Sequence, residues 1–213
     1  MAGSSRRIRI VSLLAALALA TASCAPAISF ADLSDDQMIG LFPTAAEVEQ
    51  AYGPGVSLKE PVRAPPPTET ATASATATLA PGIPEECRAA YFVSDEANSI
   101  AITRGIRMTG DASDPFRFFS WSLLQHPSSD DAKLVVATTR SDYKPCLIAN
   151  SFDFETENGF GATAVADGDA FSFGVVAVGD VTMTFSVAAE EEYEAELKKM
   201  AVAVERRLQA AGK

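Results

Sequence analysis

The chain has 213 residues, with 17 basic residues against 28 acidic ones and a formal net charge of −11. Its first 23 residues hold three of the arginines and no acid, so the rest carries 14 basic against 28 acidic residues, a charge of −14. Such acidity excludes a nucleic-acid surface, which needs a basic stripe, and excludes electrostatic adhesion to anionic lipid.

Arg6, Arg7 and Arg9 precede an apolar run over residues 10–20 that is broken only by Ser12. Eleven residues are too few to span a bilayer, which takes about 20. A basic start, a short apolar core and small residues after it form the pattern of a signal peptide over residues 1–23. Two cleavage readings stand side by side. In one, signal peptidase cuts after Ala20-Thr21-Ala22 or Ala25-Pro26-Ala27 and the protein is secreted. In the other, Thr21-Ala22-Ser23-Cys24 is a lipobox, with Thr21 where an aliphatic residue is usual, and Cys24 is the lipid anchor. The lipoprotein reading also accounts for an odd third thiol in an oxidising compartment. Residues 24–33 then act as a tether. Cys87 and Cys146 remain as an even pair and are expected to form a structural disulfide. Their wide spacing, without a CxxC, speaks against zinc or redox chemistry.

Ser34-Asp35-Asp36-Gln37 and Thr44-Ala45-Ala46-Glu47 both fit the capping box. The second predicts a short helix through Val48 and Ala51 to Tyr52, stopped by Gly53-Pro54-Gly55. Residues 61–84 are rich in Pro, Thr and Ala and lack large apolar side chains, which predicts a disordered or extended loop. Strands are expected over residues 89–94 and 99–108, joined by a polar turn, and over 116–125, with bulk from Phe116, Phe118 and Trp121. Ser128-Ser129-Asp130-Asp131 marks a helix start, with Leu134, Val135 and Thr138 along one side and Pro145 beyond its end. Four further strands follow at 147–154, 160–166, 170–178 and 181–187, with Asn158-Gly159 and Gly179-Asp180 as turns. The last strand alternates cleanly: Val181, Met183, Phe185 and Val187 on one face, Thr182, Thr184 and Ser186 on the other.

Over residues 190–211, Tyr193, Leu197, Met200, Ala201, Val204 and Leu208 recur at helical spacing. Glu190, Glu191 and Glu192 suit the positive end of that helix better than they suit calcium. The sum is an α+β domain: an antiparallel sheet of six to seven strands, with the long C-terminal amphipathic helix and shorter helices packed on one face.

Four features together resemble the actinobacterial extracellular sensor-domain family, found in the outer domains of mycobacterial receptor serine/threonine kinases and in related lipoproteins. They are the Leu41-Phe42-Pro43-Thr44-Ala45-Ala46-Glu47-Val48 helix; Pro84-Glu85-Glu86-Cys87 followed by Ala89-Ala90-Tyr91; the stretch from His126-Pro127-Ser128 to Tyr143-Lys144-Pro145-Cys146; and the closing β-meander with its long helix. The likeness covers most of residues 34–210. It departs from the family in lacking a second disulfide, in having Tyr143 where Trp is common, and in its long Pro/Thr insertion. The resemblance implies one sensor-like domain over residues 34–213, with residues 61–84 as a loop inside it and a cleft that takes an unidentified ligand.

Catalytic and metal constellations fare worse. His126 is the only histidine. A triad with Asp114 or Asp130 and a serine lacks any G-x-S-x-G context, so His126 reads as a loop residue. Asp167-Gly168-Asp169 reads as a turn rather than a calcium fragment, and Gly159-Phe160-Gly161 as hairpin rather than phosphate loop. Trp121 and Phe118 read as core rather than pocket lining. Paired carboxylates of a hydrolase stay open, because sequence spacing does not fix spatial spacing. The leading expectation is a non-catalytic, monomeric, membrane-anchored extracytoplasmic sensor-like lipoprotein without cofactor or metal, binding a small molecule or envelope component. The alternative is a protein-interaction module at the cell surface.

Overall fold

The computed structural model describes residues 28–64, 85–87, 100–113, 117–146, 149–166, 169–189 and 192–212. Both capping boxes form. Ser34 opens α1 (Asp35–Ile39) and Thr44 opens α2 (Ala45–Tyr52), each side chain accepting from the N3 backbone while the N3 side chain accepts from the cap N–H. Gly53, at φ +96°, ends α2 as expected.

Next come two three-residue strands, β1 (Val56–Leu58) and β2 (Val62–Ala64), both paired antiparallel with β3 (Arg104–Ala112). Residues 62–64 had been expected in the Pro/Thr loop; residues 65–84 of that loop, like the expected strand at 89–94, lie outside the described residues. The strand expected from residue 99 starts five residues later. Ile100 is buried ahead of it, and Thr103 donates its N–H to the Gln125 carbonyl as the ladder begins. Then follow β4 (Phe118–Gln125), α3 (Ser129–Tyr143), β5 (Ala149–Asp153), β6 (Gly159–Ala166), β7 (Asp169–Val178), β8 (Val181–Ala189) and α4 (Glu194–Ala211). The eight strands form one antiparallel sheet in the order β1-β3-β4-β8-β7-β6-β5, with β2 beside β3. It exceeds the expected six to seven strands because three-residue strands are too short to show alternation.

Alternation assigns two faces. Ile106, Met108, Phe119, Trp121, Leu123, Val176, Met183, Phe185 and Val187 point to one side, where α1, α2 and α4 cover them. Leu197, Met200, Ala201, Val204 and Leu208 are all buried there, as the helical spacing predicts, although the helix starts at Glu194 with Tyr193 as its cap. The other face carries a second, smaller core in which Ala132, Val136 and Tyr143 of α3 meet Phe160, Ala162, Val175 and Ala177. The expectation of helices on one face is therefore corrected: α3 lies on the opposite side, and β7 is sandwiched. Residue 175 faces one core and residue 176 the other. Leu134, expected on the inner side of α3, is 47% exposed. Phe118 likewise points outward, and Phe119 takes the core position beside Trp121.

The β7–β8 turn is tight, with Gly179 at φ +56° and Val178 paired with Val181. Asn158-Gly159 is not a two-residue turn. Phe154 leaves the strand and enters the core, so residues 154–158 make the connection while Gly159 already pairs in β6. Phe154 stacks on Phe185 at 5.9 Å above Gly174 and Gly161, which are register partners. A Cβ on Gly174 would lie 2.5 Å from the Phe185 ring and 2.8 Å from Phe154. Gly174→Ala is expected to cost about 1–3 kcal/mol by overpacking, read as a lower urea midpoint with an unchanged m-value.

The tether assignment also changes. Phe30 is wholly buried in the main core, its N–H donating to Asp180 Oδ1 at 2.8 Å, and its carbonyl accepts from Arg104. Residues 28–33 belong to the domain. No helix among the described residues is long and apolar enough to cross a membrane.

Candidate functional site

On the side of the sheet away from α4, α3 lies over β5–β8, next to the face formed by β3, β4 and the far side of β8. The residues there follow from alternation. Since Phe119, Trp121 and Leu123 point to the main core, Phe118, Ser120, Ser122 and Leu124 point away from it. Antiparallel register then aligns Arg107 with Ser122 and Thr184, and Thr109 with Ser120 and Ser186. Thr109, Ser120, Ser122, Thr184 and Ser186 are half-buried, while Arg107 is exposed and Phe118 is 43% exposed. The result is a strip of hydroxyls across three strands, with one cation and one exposed aromatic on the same face. Thr184 donates to the Ser122 carbonyl at 3.5 Å. Hydroxyls both donate and accept hydrogen bonds and carry no charge, so the strip suits an uncharged polar ligand.

The alternation in β8 displayed two of these hydroxyls, Thr184 and Ser186, in the sequence. Their assembly with Thr109, Ser120 and Ser122 depends on β4 pairing β8 across a long stretch of chain, which no local pattern announces.

At the end of the strip sits a buried polar node. His126 lies in the loop between β4 and α3, as expected, yet is only 2% exposed. Its Nδ1 lies 3.0 Å from the Ala101 carbonyl, which can only accept, so Nδ1–H is the donor and Nε2 accepts from the Thr182 hydroxyl at 3.0 Å. Both ring nitrogens are thus engaged, and neither reaches Asp130. Asp114 lies outside the described residues. Asp180, beside this ring, accepts from Gln125 Nε2 at 3.0 Å as well as from the Phe30 N–H. These contacts join the N-terminal segment to the β7–β8 turn, a structural role rather than a general base.

Burial depresses the His126 pKa from its usual 6.5, outweighing the Ala101 carbonyl and the acids Asp131 and Asp180, which push it up. Folding therefore releases a proton from this ring below pH 6.5. Its contribution to stability is complete above 6.5 and is lost as pH falls toward the folded value. His126→Gln is expected to flatten the stability change between pH 7.5 and 5, measured by urea unfolding. A wild-type slope that persists in the variant would assign it to other groups.

Cys87 and Cys146 are disulfide-bonded, with Cα atoms 4.5 Å apart and both residues buried, as expected. Cys24, the Asp167-Gly168 turn, Glu190 and Glu191 lie outside the described residues. Among the described residues no group of three His, Cys, Asp or Glu side chains is placed to hold a metal ion.

No protein-family model and no curated protein matches the chain. Two of the solved structures that align with the chain are these. The extracellular domain of PknH from Mycobacterium tuberculosis is similar with a TM-score of 0.61 at 12% identity, over 84% of this chain and 97% of that one. A protein of Mycobacterium smegmatis, the Rv0999 ortholog, aligns with a TM-score of 0.36 at 9% identity, over 78% of this chain and 93% of that one. The likeness to the mycobacterial extracellular domain bears out, at the level of the fold, the resemblance read from the sequence.

Proposed function

We propose that the chain is an exported, non-catalytic, sensor-like domain, lipid-anchored through Cys24 on the extracytoplasmic face of the cell membrane. It binds an uncharged polar small molecule or envelope component on the hydroxyl strip of β3, β4 and β8. The observation that carries this reading is the strip itself: five half-buried hydroxyls in register beside α3, with Phe118 and Arg107 on the same face. Few polar groups placed on a largely formed surface are what orient a small ligand. Support also comes from the fold, which is that of a domain described as extracellular in a mycobacterial protein, and from the signal-peptide pattern before Cys24.

Two measurements test it. Intact mass of the mature protein extracted from its native membrane is expected to show a diacylglyceryl adduct on a chain beginning at Cys24. An unmodified chain beginning at Ser23 or Ile28 sinks the anchor. Separately, amide shifts of the isotopically labelled domain are followed during titration with solubilised cell-envelope glycan fragments and a small-polar-molecule library. Shifts centred on Ser120, Ser122 and Thr184, abolished by Ser120→Phe, support the site. Shifts confined to the outer face of α3 around Leu134, or to the β5 edge, favour a protein-interaction module instead.

A further inference from the structure

The burial of residues 28–30 sets how the domain stands on a membrane. Phe30 is locked into the core by Asp180 and Arg104. Ile28 packs against the β7–β8 turn at Gly179 and against Gly212 after α4, so closely that a Cβ on either glycine would collide with it. Ile28 is four residues after Cys24, and four residues of fully extended chain span at most about 14 Å. That leash is short beside the sheet, whose ten-residue strand β7 is about 30 Å long.

From this we infer that a bilayer attached at Cys24 meets one end of the domain, that of Ile28, the Gly179-Asp180 turn, residues 155–158 and the C-terminus of α4. Topology groups these parts. The Ala177 N–H donates to the Asn158 carbonyl, the Glu157 N–H to Glu205, and the His126 N–H to the Asp180 carbonyl. The opposite end, with Val56, Ala112, Ala189 and the start of α4, lies a strand length away from the lipid surface. A formal charge of −14 after residue 23 gives anionic headgroups nothing to attract, so the partner is the neutral headgroup layer, held close by leash length. The strands run between the two ends, so the Ser120–Ser186 and Ser122–Thr184 pairs stand at mid-height, opening sideways above the membrane. As a statement about the cell, this rests on the anchor proposed above; the geometry is tested apart from it.

With Cys87 and Cys146 paired, Cys24 is the one free thiol of a chain that has three cysteines. The chain from Cys24 is therefore coupled through that thiol to maleimide-headgroup lipid in phosphatidylcholine nanodiscs that also hold a gadolinium-chelate lipid. Paramagnetic broadening of methyl resonances is expected to be stronger at Ile28, Val181 and Leu208 than at Val56, Val187 and Leu197 by about tenfold or more, given strands ~30 Å long. A Gly/Ser insert of about twelve residues after Ala27 adds a mean span of about 20 Å and is expected to erase most of that contrast. Equal broadening at both ends without the insert, or stronger broadening at the far end, overturns the orientation. The native-mass measurement judges the anchor alone, so the two failures are told apart.

Discussion

Replacing Cys87 and Cys146 together by alanine is expected to destabilise the domain by about 4 kcal/mol, from the entropy returned to an unfolded loop of about sixty residues. The bond spans 59 residues of sequence. It joins a short 3-10 turn, Glu85–Cys87, to the chain just after α3, where the Cys146 N–H donates to the Tyr143 carbonyl. Tyr143 stacks on Phe173 at 5.4 Å, so the bridge holds the end of α3 beside the smaller core. Alanine avoids burying two new hydroxyls, which would add their own desolvation cost. For a domain of this size the loss corresponds to a fall in Tm of roughly 10 °C. Urea unfolding of the variant against the oxidised parent measures it. A loss below about 1 kcal/mol would mean that the unfolded chain is already constrained there without the bond.

What the sequence disclosed about the domain was whatever lies within a few residues of itself. Ser34 with Gln37 and Thr44 with Glu47 are contacts at three residues' separation, and both form as expected. The stripe from Tyr193 to Leu208 and the alternation from Val181 to Val187 are periodicities inside single elements, and both bury the expected side. Helical spacing says which side of α3 is apolar but not which face of the sheet receives it, and there the expectation failed. Hydrophobicity alone placed Leu134 inward, whereas the side that packs uses Ala132 and Val136 because a helix lying close over Phe160 and Ala162 needs small residues. Asn158-Gly159 misled because a turn dipeptide gains nothing locally from Phe154 filling the main core, which fixes the longer connection. The candidate site was half legible. Its hydroxyls appeared as the wet side of β8, but the strip exists only once β4 pairs β8. His126 does lie in the loop between β4 and α3, as expected, but its burial was hidden because nothing local shows that Thr182, 56 residues away, caps its ring.

Phe30 was hidden for the same reason: an isolated aromatic between Cys24 and the Ser34 helix cap carries no pattern. Phe30→Ala is expected to cost about 3–5 kcal/mol, the range for truncating a fully buried aromatic. The ring is wholly buried among the main-core residues and lies against Gly212, after the end of α4. Its backbone is held independently by Asp180 and Arg104, so the segment stays docked and leaves a cavity rather than peeling away to relieve it. Asp32→Ala, two residues on and exposed, is the matched control and is expected to fall within about 0.5 kcal/mol of the parent. Urea unfolding of the chain from Cys24 reads both. If Phe30→Ala were as mild as the control, residues 28–33 would revert to a tether. The leash from Cys24 would then lengthen from about 14 Å to about 35 Å, longer than the sheet itself, and the proposed anchor would keep neither end of the domain at a membrane.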